Sequence, residues 1–91
     1  MAKQRLRVQL IDDSPADAVI IQRLLRRIPE VDVEFTHSLD AESGLPALED
    51  SKPDCLLLDY QLGKDSGLGL LSSIRELGND VPVVVLTGVG N

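Results

Sequence analysis

Apolar residues gather in four stretches of the chain, at positions 6–11, 31–35, 55–58 and 83–86. Their starts lie roughly 25 residues apart, near the ~30 residues of a strand–helix–strand unit. The first, third and fourth are nearly continuous, with Leu56-Leu57-Leu58 and Val83-Val84-Val85-Leu86 at their centres. Continuous apolar strands are buried on both faces, as in a parallel sheet covered by helices. Val31, Val33 and Phe35 instead alternate with Asp32, Glu34 and Thr36, which predicts an edge strand with one wetter face.

Between these stretches the periodicity becomes helical. Ser14 is placed as an N-cap, with Pro15 at the first helical position and Asp17 in the first turn. Ile21, Leu24, Leu25 and Ile28 follow at the spacing of a buried face. Arg23, Arg26 and Arg27 lie on the polar side, and Pro29 stops the helix. A second helix over about 39–49 is weaker. Ala41, Leu45 and Leu48 share its face, but Gly44 and Pro46 interrupt it, which predicts a short or distorted element. The third starts near Ser66, buries Leu70, Leu71, Ile74 and Leu77, and ends with Gly78 at C′. The order β-α-β-α-β-α-β, with right-handed crossovers, predicts one α/β domain built on a doubly wound parallel sheet. The units share no sequence signature, so the even spacing is not that of a solenoid.

Composition narrows the function rather than the fold. Fifteen acidic against nine basic side chains give a net charge of −6, the opposite of the basic face that nucleic-acid binding needs. A single cysteine rules out an intramolecular disulfide. No apolar run approaches the roughly 20 residues of a bilayer span. The basic start gives way to Asp12 and Asp13 without a signal peptide's apolar core. A cytoplasmic location, with no membrane partner, is therefore expected.

The chemistry sits at the strand ends. In an open α/β sheet, ligands bind outside the carboxyl ends of the strands. Here the first strand runs into Asp12-Asp13, the third into Asp59 and the fourth into Thr87-Gly88. If the first and third strands are neighbours, three carboxylates and a hydroxyl converge. Like charges so close raise one another's pKa, and a hard divalent cation relieves them. Mg²⁺, with Mn²⁺ as the alternative, takes oxygen ligands from a few carboxylates and a phosphate. Asp13 is expected as a direct ligand and Asp12 as a ligand or the orienter of a metal-bound water. The backbone carbonyl of Gln61, two residues beyond Asp59, is placed to complete the shell. Asp59, alone after a buried strand, is the candidate nucleophile for acyl phosphate formation. Thr87 is placed to donate its hydroxyl to a phosphoryl oxygen.

The sequence resembles a bacterial response-regulator receiver domain, of the kind found in chemotaxis regulators and two-component signalling. The resemblance rests on Leu10-Ile11-Asp12-Asp13-Ser14-Pro15, on the run from Pro53 to Leu62, and on Ser66-Gly67-Leu68-Gly69-Leu70-Leu71. Val81-Pro82-Val83-Val84-Val85-Leu86-Thr87-Gly88 completes it. It implies a flavodoxin-like fold with strand order 2-1-3-4. It also implies transfer of a phosphoryl group from a histidine kinase or histidine phosphotransfer domain onto Asp59. Mg²⁺ would be held by Asp12, Asp13, Asp59 and the Gln61 carbonyl, and Thr87 would sense the phosphoryl group, so that the domain switches an output without being an enzyme. Two positions depart from the common pattern: Gly63 stands where many receivers have proline, and Gly88 where alanine is common.

Receivers contain five strand–helix units, and residues 1–91 supply four strands and three helices. The expectation is a receiver lacking its fifth unit, together with the lysine and aromatic found in that part of the family; Lys64 matches no family motif. The fourth strand would then be an apolar edge open to self-association. A degenerate receiver serving only as a protein-interaction module is the alternative function. A metal-dependent phosphohydrolase of another doubly wound family is a third, disfavoured because Gln61 stands where a second catalytic Asp would follow Asp59.

Other residues read more plainly. His37, the only histidine, reads as a surface side chain with no partner nearby in sequence. Cys55 reads as a small core hydrophobe, Tyr60 as a shield for Asp59 or a half-exposed packing residue. The arginines of the first helix read as a solvated face that contributes to the choice of phosphodonor.

Overall fold

Continuous burial in the second half of the first strand sets the layers. Residues Gln4–Ile11 form β1, in which Val8, Gln9, Leu10 and Ile11 are all buried, so both faces of its second half are covered. In this computed structural model, which describes residues 4–63 and 65–87, β1 is followed by α1 (Pro15–Arg26), β2 (Val31–Ser38) and α2 (Ala41–Ser51). Then come β3 (Cys55–Asp59), the two-residue strands β4 (Gln61–Leu62) and β5 (Asp65–Ser66), α3 (Gly67–Glu76) and β6 (Val83–Leu86). The main sheet has the order β2-β1-β3-β6, all parallel. This is the expected flavodoxin-like order, with β6 as its fourth strand.

β4 and β5 form a separate antiparallel pair around Gly63, which the sequence reading did not anticipate. Two residues per arm are too few to show an apolar period, and the turn is set by Gly63 at φ +62°, a conformation glycine adopts without a Cβ penalty.

The larger core lies between the sheet and α2 and α3. Ile11, Leu56 and Leu58 meet Leu48 of α2 and Leu70 and Ile74 of α3, with Leu62 and Val81 at the margins. Gly44 permits this contact: a Cβ there would stand 2.6 Å from Ile11 Cδ1. Pro46 removes only one donor from α2, and the helix runs its full 11 residues from an Asp40 N-cap whose side chain accepts from the Ser43 N–H at 2.8 Å. The expected shortening of this helix does not occur. α3 ends as expected in a Schellman motif, with Asn79 N–H on the Ile74 carbonyl, Gly78 N–H on the Arg75 carbonyl and Gly78 at φ +83°.

The other face carries α1, and here the expected burial is corrected. Ala18 is the buried residue of α1, Ile21 and Leu25 are half-buried, and Leu24 and Ile28 are exposed. A single helix lies on this side of the described sheet, so only the narrow stripe through Ala18, Ile21 and Leu25 reaches the strands. Leu77 is likewise exposed, because it is the C-cap of α3 rather than part of its inner face.

Candidate functional site

Three carboxylates meet at the carboxyl ends of β1 and β3. Asp12 extends β1 by one rung, its N–H donating to the Ser38 carbonyl at 3.0 Å. Only 4% of Asp12 is exposed, and its Oδ1 accepts from the Ser14 N–H at 2.9 Å. That turn leads into the N-cap of α1, where Ser14 Oγ accepts from the Asp17 N–H at 3.2 Å and Pro15 starts the helix. Asp13 is exposed, and its Oδ2 accepts from the Gly63 N–H at 2.9 Å. The glycine at this departure from the family pattern therefore has two uses that proline forbids, a positive φ and a donated N–H.

Asp59 closes β3 opposite Leu86 of β6. The backbone just beyond it is fixed by Tyr60 N–H donating to the Leu86 carbonyl at 2.8 Å and Gly67 N–H donating to the Tyr60 carbonyl at 2.7 Å. One carboxylate oxygen from each of Asp12, Asp13 and Asp59 lies within 4.8 Å of the others. Partial burial holds the Asp59 carboxyl above its ordinary pKa, and the charges of Asp12, Asp13 and Asp17 add to this while a hydrogen bond from the Gln61 backbone opposes it.

The group opens into a cavity of about 530 Å³ lined by Asp13, Asp17, Asp59, Gln61, Gly63 and Thr87, with Tyr60 at its side. Thr87 and Asp17 also line a smaller cavity of about 270 Å³ with Asp12, Asp59 and Leu86. All of the expected site residues thus reach one place. The cleft at the opposite ends of the strands, between Leu48, Pro53, Leu77 and Val81, lies away from them.

Sequence reasoning missed three contributors. Asp17 was read only as a first-turn acid of α1, yet it faces the cavity; its place in the first turn of a helix that starts at the carboxyl end of β1 is the signal that could have shown it. Gly63 joins through its N–H. His37 is half-buried, and its Nε2 lies 2.8 Å from the Asp12 carbonyl oxygen, a partner 25 residues away that no local reading finds. Cys55, expected in the core, is half-buried at the start of β3; burial, and then the Asp54 charge, push its thiol pKa up. Lys64 and Gly88 lie outside the described residues.

The donor set fits a hard divalent cation. It offers only oxygens, and it gathers one carboxylate oxygen from each of three acidic side chains within 4.8 Å.

Comparison with known proteins agrees with the fold. The family model of the response regulator receiver domain matches residues 8–91. A protein-glutamate methylesterase/protein-glutamine glutaminase of Geobacter sulfurreducens is 32% identical over 90% of this chain and 22% of its own length. The nitrate/nitrite response regulator protein homolog of Haemophilus influenzae is 31% identical over 93% of this chain and 40% of its own. The transcriptional regulatory protein DltR of Streptococcus agalactiae is 35% identical over 90% and 35%. The chain thus spans less than half the length of each of these relatives, the methylesterase among them.

Among solved structures, the MaeR response regulator bound to beryllium trifluoride superposes with a TM-score of 0.82 at 21% identity, covering 94% of this chain and 70% of that one. The receiver domain of a Francisella response regulator gives 0.80 at 20% identity, with 94% and 69% covered. No helix among the described residues is long and apolar enough to cross a membrane. With the sheet order, the acidic cluster and the family match all in agreement, this chain belongs to the response regulator receiver domains of bacterial two-component signalling.

Proposed function

We propose that this chain is a phosphoacceptor in a cytoplasmic phosphorelay. A histidine kinase or histidine phosphotransfer domain is the donor, and Asp59 is the acceptor. An Asp59 carboxylate oxygen attacks the phosphorus of a phosphohistidine, the P–N bond breaks with its electron pair left on that ring nitrogen, and the imidazole, already protonated on its other nitrogen, leaves neutral as the acyl phosphate forms. The observation that carries this reading is the convergence of Asp12, Asp13 and Asp59 within 4.8 Å at the mouth of a cavity that also holds Thr87.

Asp12, Asp13, Asp59 and the Gln61 carbonyl would hold Mg²⁺, with Mn²⁺ as a substitute. Bound there, the cation neutralises the charge that builds on the phosphoryl oxygens in a loose transition state. The protein's own share is placement. The Tyr60 and Gly67 backbone bonds hold the Asp59 end of β3, and the Thr87 hydroxyl donates to a phosphoryl oxygen. The outcome is a switched surface rather than a turnover reaction, so the chain acts as a signalling domain and not as an enzyme.

Incubation with a small phosphodonor and Mg²⁺, read by mass, tests the reading. The expected result is one phosphoryl adduct (about 80 Da) that disappears in Asp59→Asn. No adduct would point to a receiver used only as an interaction module, and turnover of phosphate esters to a phosphohydrolase.

Residues 1–91 act in this reading as one receiver unit of four sheet strands and three helices. Its β6 edge carries Val83, Val84, Val85 and Leu86 without a charge, whereas the β2 edge carries Asp32 and Glu34. Arg23, Arg26 and Arg27 on α1 are proposed to contribute to donor choice; exchange for glutamate that leaves transfer from several donors unchanged would remove that role.

A further inference from the structure

We infer that His37 is a positioning residue for the acidic site, resting on the cation-binding reading above. It acts through the Asp12 backbone. The β1–β2 ladder ends where the Asp12 N–H donates to the Ser38 carbonyl. One atom further along, the Asp12 carbonyl has left the sheet, and α1 has not yet begun at Pro15. A carbonyl on so buried a residue needs a donor. His37, which pairs in register with Leu10, supplies it through Nε2 at 2.8 Å. A carbonyl oxygen only accepts, so Nε2 carries a proton.

The consequence reaches both metal-binding carboxylates. The peptide group is planar, so fixing the Asp12 C=O fixes the plane that runs from the Asp12 Cα to the Asp13 Cα. With the N–H side of Asp12 held by Ser38 and the C=O side by His37, rotation of the peptide groups flanking Asp12 is blocked. The Asp12 and Asp13 side chains therefore leave the backbone at set angles to Asp59. His37 touches neither cation nor phosphoryl group. It fixes the spacing at which the three carboxylates meet, whereas the Gly63 N–H and the Ser14 N–H fix the orientation of single carboxylates.

The test compares His37→Leu, which fills the space without a donor, with His37→Gln, whose side-chain amide can donate to the same carbonyl. Mg²⁺ affinity is measured by calorimetry, and the Asp12 and Asp13 amide signals and the His37 ring nitrogens are read by NMR in the cation-free protein. His37→Leu is expected to lose about tenfold in Mg²⁺ affinity, the scale seen when a group orienting a metal ligand is removed, and to shift both amides. His37→Gln is expected to recover most of both, and the wild-type ring to carry its proton on Nε2. Equal affinity in His37→Leu, equal losses in both variants, or a proton on Nδ1 alone would overturn the inference. If the wild type binds no Mg²⁺, the cation-binding reading fails, and the amide shifts and ring nitrogens still decide whether His37 holds the Asp12 backbone.

Discussion

Gly67 offers the sharpest test of how the fold holds Asp59. It is the first residue of α3, and its N–H donates to the Tyr60 carbonyl. An added Cβ would be driven into the Asp59 carbonyl oxygen, and would stand 3.0 Å from the Asp59 carbonyl carbon and 3.2 Å from the Tyr60 Cα. These are backbone atoms, so no rotamer change relieves the contact; either α3 or the end of β3 has to move. Overpacking of this kind costs about 1–3 kcal/mol, and a clash with main chain belongs at the upper end. A better helix former returns at most about 1 kcal/mol, and less at a first helical position. Gly67→Ala is therefore expected to lose about 2 kcal/mol.

Urea unfolding followed by far-UV circular dichroism measures this directly. With a slope near 1 kcal/mol/M for so small a domain, the midpoint should fall by roughly 2 M, or the protein should be unfolded in water. Gly69→Ala is the control, since its Cβ would meet only the Ser66 Oγ at 3.2 Å. If Gly67→Ala stayed within about 0.5 kcal/mol of wild type, as an ordinary surface change does, the close approach of α3 to Asp59 would be refuted.

Three further outcomes are expected. The Asp59 pKa is raised in the folded chain, so the native state holds this proton more tightly than the unfolded one, and stability falls as pH rises from the ordinary carboxylate value through the raised one. Cation-free Asp59→Asn should hence be more stable than wild type at neutral pH, with the gain vanishing in acid; a pH series of urea midpoints checks the sign. Mg²⁺ at a hundred times its dissociation constant should stabilise wild type by about 2.7 kcal/mol, reversed by a chelator and absent in Asp13→Ala, as thermal melts would show. Ile74→Ala, at a fully buried position, should cost about 2–5 kcal/mol, whereas Leu24→Ala on α1 should stay near 0.5 kcal/mol or less; comparable losses would contradict the burial seen on that helix.

Much of this was legible because it depends on short-range rules. Continuous valine and leucine runs mark buried parallel strands, Ser14-Pro15 and Ser66 mark helix starts, and Gly78 marks a stop. Each is a property of a few adjacent residues. What misled was burial on α1: the spacing of Leu24 and Ile28 shows that a helix has an apolar side, but not how much sheet lies opposite. α2 misled in the other direction. Gly44 looked like a weakness of the helix, and it is the position where the helix must come close to Ile11.

The sequence by itself determined the kind of sheet, the four strands and three helices, and the acids and hydroxyl waiting at the strand ends, because strand burial and capping are written in local pattern. Only the tertiary structure decided what those groups do to one another. Placing β3 beside β1 brought Asp59 to Asp12 and Asp13. The end of β2 put His37 against the Asp12 carbonyl, and the turn between β4 and β5 aimed the Gly63 N–H at Asp13. Those contacts join residues between 25 and 50 positions apart. No local pattern encodes such pairs; they follow from the order and register in which the strands pack.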